Sequence, residues 1–126
     1  MKICKLLLAT LLLCSAALAH ALDVKPYTAA ALADAQKADQ PVALHFHADW
    51  CPTCRAQDKA LKELRAEKGL DITVLVVNYD TEKDLKRRFK VRSQSTIIVL
   101  RGDQEWARLL GDTSPAAIRA ALQSAL

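Results

Sequence analysis

The feature that most constrains this chain is a buried-strand pattern that runs straight into two cysteines and out into an amphipathic helix. Val42, Leu44, Phe46 and Ala48 alternate with Ala43, His45 and His47. Side chains of a strand point alternately to its two faces, so the two histidines share one side and the large apolar residues the other. Asp49-Trp50-Cys51-Pro52-Thr53-Cys54 then forms the turn into a helix predicted to reach about Lys68. Ala56, Ala60, Leu61 and Leu64 read as its inner stripe, and Gly69 as its close.

Helical and strand patterns alternate on both sides of this unit. Residues 22–27 form a short polar lead that suits an edge strand, and Thr28 can cap an alanine-rich helix running to about Asp39, which Pro41 stops. The largely apolar run Ile72 to Val77 suits a central strand covered on both faces. Thr81 is the expected cap of a further helix, with Asp84 three residues on and Leu85 and Phe89 as an inner pair. Thr96 to Leu100 and about Glu105 to Leu110 make two strands joined by the tight polar turn Arg101-Gly102-Asp103-Gln104. Ser114-Pro115 opens a last helix that buries Ala117, Ile118, Ala121, Leu122 and Ala125. This order predicts an α/β fold: a central mixed sheet with helices on both faces and an antiparallel hairpin at one edge.

The first residues follow a different logic. Lys2 and Lys5 precede a short apolar run, Leu6 to Leu13, then the small-residue stretch Ser15 to Ala19 and the pattern Ala19-His20-Ala21. This is the signature of a secretory signal peptide, so residues 1–21 are expected to be cleaved and residues 22–126 to form the single domain. Lipid attachment at Cys14 and a retained signal anchor are the competing readings. Cleavage would reduce four cysteines to two, Cys51 and Cys54. Two cysteines are too few for a disulfide scaffold or a four-cysteine zinc site. Losing Lys2 and Lys5 also lowers the net charge from +4 to +2, too mild to indicate nucleic acid. Export would put the remaining pair where disulfides form and persist.

A Cys-x-x-Cys at a strand-to-helix turn has a mechanical meaning. Free backbone N–H groups and the helix dipole at the N-terminus favour a thiolate at Cys51. That thiolate can attack a disulfide, and Cys54, one helical turn on, can resolve the mixed disulfide. Pro52 suits the first helical turn, where its missing N–H is no loss. A two-residue loop closes little chain, so a purely structural disulfide here would stabilise little.

Ala48-Asp49-Trp50-Cys51-Pro52-Thr53-Cys54 resembles the active-site segment of the thioredoxin family, A-x-W-C-x-x-C. The resemblance continues through Asn78-Tyr79-Asp80, Phe89-Lys90-Val91-Arg92, Thr96 and Gly111. Pro41 to Cys54 is also similar to the C-terminal thioredoxin domain of the bacterial transmembrane thiol-reductant transporter. The resemblance implies a thioredoxin fold and electron transfer through Cys51 and Cys54, with no cofactor. Three departures stand out. The family's buried aspartate is His45, with Val76 in place of a buried lysine; His45 is therefore a candidate base for Cys54, or a satisfied core histidine. A frequent aromatic is His47, which is either a partly exposed spacer or, when protonated, a group that would favour a Cys51 thiolate. The family's cis-proline, in the loop that presents backbone to the substrate, is Ser95, so Gln94–Ser95 is expected to be trans. Trp50 is expected to shield the site and contact partners, or simply to pack beside the nucleophile.

The expected function is therefore a thiol:disulfide oxidoreductase that reduces protein disulfides outside the cytoplasm, in a periplasm, as a monomer fed by a membrane thiol-reductant donor. The alternatives are a disulfide oxidase or isomerase, since Pro52 also begins oxidising motifs, and a Cu(I)- or zinc-binding protein using Cys51, Cys54 and one of His45 or His47. The basic run Lys83, Lys86, Arg87, Arg88, Lys90 and Arg92 reads as the solvated face of a helix, or as a dock for an acidic partner or membrane surface.

Overall fold

The computed structural model describes residues 21–126. The expected signal segment, apart from Ala21, lies outside the described residues, as does Cys14. The elements are β1 (Asp23–Pro26), α1 (Ala29–Lys37), β2 (Pro41–His47), α2 (Pro52–Leu64), β3 (Thr73–Asn78), α3 (Lys83–Arg88), β4 (Thr96–Arg101), β5 (Gln104–Leu110) and α4 (Pro115–Gln123). The five strands form one sheet in the order β1-β3-β2-β4-β5. β3 runs parallel to both β1 and β2, while β4 is antiparallel to β2 and β5. The sheet is thus mixed, with β2 near its centre and the Cys-x-x-Cys at the C-terminal end of that strand.

Strand parity sorts the core into two layers. Val42, Leu44 and Phe46 of β2, Leu75 and Val77 of β3, and Ile98 and Leu100 of β4 pack with Leu32 of α1 and Leu85 of α3. Ala43, Val74, Ile97 and Val99 face the other way, against Ala60, Leu61 and Leu64 of α2 and Ile118, Ala121 and Leu122 of α4. A register shift between Val99 and Leu100 leaves Trp106 as an extra residue on β5, half exposed.

Two helix starts match the sequence reading. Thr28 caps α1 by accepting from the Ala31 N–H, and Ser114 caps α4 with Pro115 at its first position. Four expectations need correction. α2 stops at Leu64 rather than about Lys68, because Ala66 and Glu67 bond back only three residues, to Glu63 and Leu64, and tighten the last turn. Thr81 does not cap α3; Glu82 occupies that position without a side-chain bond, while the Thr81 N–H is taken by Asn78 Oδ1. The inner stripe of α2 is Cys54, Gln57, Ala60, Leu61 and Leu64, with Ala56 on the solvent side. Pro41, expected only to stop α1, is the first residue of β2.

Candidate active site

Cys51 is the N-cap of α2, with extended backbone angles and its Sγ accepting from the Cys54 N–H at 3.1 Å. Pro52 follows in the first turn. Both cysteines are free and almost wholly buried, at 1% and 0% exposure. Trp50 is 58% exposed beside them, and its indole N–H donates to Asp80 Oδ2 at 2.9 Å.

Ser95 faces the pair from the loop before β4. No cis peptide occurs among the described residues, so Gln94–Ser95 is trans; Ser95 instead takes a positive φ of 64°. That conformation costs an L-residue about 1–2 kcal/mol, and backbone bonds hold it. The Ser95 N–H donates to the Phe46 carbonyl at 2.9 Å, and its own carbonyl accepts from the Gly111 N–H at 3.0 Å. The result is that Ser95 Oγ stands 3.1 Å from Cys51 Sγ and 3.1 Å from Cys54 Sγ. Gln94, beside it, is half-buried.

The two thiols are electrically unequal. Burial would raise the Cys51 pKa, but hydrogen bonds from the Cys54 side chain, the Ser95 hydroxyl and the backbone at Cys54 and Thr53 outweigh it and hold it below the ordinary thiol value. Burial pushes Cys54 up, and its hydrogen bond with Cys51 adds to the rise against the pull of Ser95. A hydroxyl has one proton to give. With Cys51 as the thiolate, the Ser95 O–H donates to Cys51 Sγ, and Ser95 Oγ is left to Cys54 only as an acceptor.

The histidines go elsewhere. His45 is fully buried, with Nε2 2.8 Å from Gln57 Oε1 and Nδ1 without a hydrogen-bond partner, 3.7 Å from Asp58 Oδ1. Burial lowers its pKa to about 4, despite the opposing effects of Gln57 and Asp58. The direct route from His45 to Cys54 is not made: neither ring nitrogen bonds a sulfur, and so weak a base is poorly matched to a thiol of raised pKa. His47 places Nε2 2.7 Å from Asp58 Oδ2 and Nδ1 3.7 Å from Asp49 Oδ1, so carboxylates rather than the Cys51 sulfur engage it. Among the described residues, no three His, Cys, Asp or Glu side chains are grouped to hold a metal. Within the basic run, Lys86 lies over the Tyr79 ring, Arg87 pairs with Asp84, and Arg88 donates to Gln36.

The residue that sequence reasoning missed is Gln57. It is fully buried on α2, accepts from His45, and donates through Nε2 to the carbonyls of Ser95 and Asp112, both at 2.9 Å. Its signal was spacing: Cys54, Gln57, Leu61 and Leu64 follow the i, i+3, i+7, i+10 line of one helix face.

The thioredoxin family model matches residues 24–124. The chain is 30% identical to thioredoxin of Mycobacterium tuberculosis over 95 residues, covering 75% of this chain and 82% of that protein. It is 33% identical over 86 residues to the bifunctional thioredoxin reductase/thioredoxin of Mycobacterium leprae, covering 68% of this chain and 19% of that protein. The solved structure of Trxlp from Edwardsiella tarda superposes with a TM-score of 0.73 at 40% identity, covering 79% of this chain and 98% of that one. The chain belongs to the thioredoxin family and is a thiol-disulfide oxidoreductase.

Proposed function

We propose that this chain reduces protein disulfides outside the cytoplasm, with Cys51 as the attacking thiol and Cys54 as the resolving one. The Cys51 thiolate attacks one sulfur of a substrate disulfide. A Cys51–substrate disulfide forms, and the other substrate sulfur leaves as a thiolate. Cys54 then gives up its proton and attacks Cys51 Sγ, which releases the second substrate sulfur. The substrate gains two electrons and two protons overall, and the pair is left as a Cys51–Cys54 disulfide. A donor dithiol must then reduce that disulfide; the resemblance of Pro41 to Cys54 to a membrane reductant domain supports a membrane-bound donor. Residues 1–21 support export to a periplasm.

The observation that carries the reducing direction is what surrounds Cys51. Its thiolate is held by neutral donors: Ser95 Oγ, the Cys54 thiol and backbone N–H groups. The histidines that would add positive charge are turned to Gln57 and Asp58. Strong oxidants of this type owe their power to a heavily stabilised reduced form, and neutral donors stabilise a thiolate less than a nearby cation does.

The test is a paired rate measurement on the purified protein. With a small dithiol as electron source, it should reduce a disulfide-bonded protein faster than it oxidises the same protein when reduced and unfolded. Faster oxidation would overturn the assignment of direction. N-terminal sequencing of the exported protein should begin at Leu22; an intact Met1 in that fraction would contradict cleavage.

A further inference from the structure

Two buried polar side chains at the site, His45 and Gln57, take no part in the exchange steps. Gln57 sits on the inner stripe of α2 among Cys54, Ala60, Leu61 and Leu64, where an apolar residue would satisfy packing. All its polar ends are engaged. The Nε2 end faces two carbonyls, those of Ser95 and Asp112, so that end must be the NH2. Oε1 therefore faces His45, and because Oε1 can only accept, His45 Nε2 must carry the proton. This tautomer leaves Nδ1 with its lone pair free, in agreement with the unpartnered state of that atom.

The consequence reaches the sulfurs through one residue. The Ser95 backbone is held at its N–H by Phe46 and at its carbonyl by Gly111 and Gln57. The Gln57 bond comes from α2, the same helix that carries both cysteines at its start. A single amide thus fixes the distance between α2 and the loop that places Ser95 Oγ 3.1 Å from each sulfur. His45, fully buried on β2, holds the amide's other end and prevents it from turning over.

We propose that Gln57 is a positioning residue for the dithiol: braced by His45, it clamps the Ser95 carbonyl and so keeps the Ser95 hydroxyl between Cys51 and Cys54. This rests on the reading of Cys51 and Cys54 as an exchanging pair. Gln57 touches neither sulfur in this role; it acts through Ser95. Ser95 in turn is the group that carries hydrogen bonding from one thiol to the other, in place of a direct charge partner.

The decisive experiment follows the rate of Cys51 alkylation against pH in four proteins: wild type, Gln57→Leu, Ser95→Ala and the double variant. Gln57→Leu should make Cys51 about a tenfold weaker acid, the loss of one hydrogen bond to a charged group. Ser95→Ala should do the same, and Gln57→Leu should add nothing further in the Ser95→Ala background. Equal shifts from Gln57→Leu in both backgrounds would show that Gln57 does not act through the hydroxyl and would overturn the proposal. If Gln57→Leu does not fold, Gln57→Met takes its place. The histidine 15N shifts of the wild type provide a test that needs no variant: His45 should be the Nε2–H tautomer above pH 6, and an Nδ1–H tautomer would overturn the arrangement. A wild type that exchanges disulfides while failing these tests removes this proposal alone. A wild type that exchanges none removes the dithiol reading with it.

Discussion

The two faces of β2 are built on different physics. Val42, Leu44 and Phe46 enter a dry layer with Leu75, Val77, Ile98 and Leu100, where burial is roughly proportional to area and has no direction. The opposite face carries Ala43, then His45 and His47, each tied to a particular atom of α2: Gln57 Oε1 and Asp58 Oδ2. The first face makes the sheet stable. The second sets where α2, and with it the dithiol, sits relative to Ser95. Damage to the first should therefore cost stability with the chemistry intact, and damage to the second should alter the chemistry at a smaller cost in stability.

The largest effect belongs to the sulfurs. Cys54→Ser should slow catalytic turnover about a thousandfold or more, because an intramolecular attack is lost, and a disulfide between Cys51 and substrate should accumulate, visible by mass. Its folding stability should stay close to that of the wild type; a fully active Cys54→Ser protein would collapse the distinction. On the apolar face, Leu44→Ala should cost about 2–5 kcal/mol in urea unfolding, with an unchanged reduction potential in the folded protein. A potential that moves with Leu44 would mean the two faces are not separable.

The histidine seam should show itself through pH. The folded pKa of His45 is lowered to about 4, below the ordinary value of 6.5, so the folded state prefers it neutral. Its contribution is complete above about pH 6.5 and is lost as pH falls towards 4, because the unfolded chain takes up the proton first. The loss should approach about 3 kcal/mol across that window. In His45→Gln this portion of the pH dependence should vanish; an identical slope in both proteins would contradict the buried neutral state. The smallest expected effect lies far from the site. Thr28→Ala removes the α1 cap and should cost about 1 kcal/mol, again with no change in potential.

The chain revealed these two faces unequally. The alternation from Val42 to Ala48 and the helix caps at Thr28 and Ser114 are local patterns, and the fold uses them as they read. The position of Cys51 at the start of α2 is local too. The tightened turn after Leu64 and the uncapped start of α3 were not legible, since both depend on competing backbone bonds within a turn. The seam was half legible. His45 and His47 could be placed on one face, but their partners could not. Gln57 was passed over because counting hydrophobicity favours Ala56, whereas its burial is stabilised by three hydrogen bonds to segments distant in sequence. Ser95 was conspicuous as a departure from a family pattern. Its contact with both sulfurs follows from a positive φ and a clamp from α2, which no short stretch of sequence encodes.

The central claim is that a dithiol whose thiolate is held by neutral hydrogen-bond donors serves as a reductant. Equilibrating the Cys51–Cys54 pair with glutathione under metal-free conditions tests this most directly. The account predicts a reversible two-electron couple at or below about −220 mV. A couple near about −120 mV would make the protein an oxidant and contradict it.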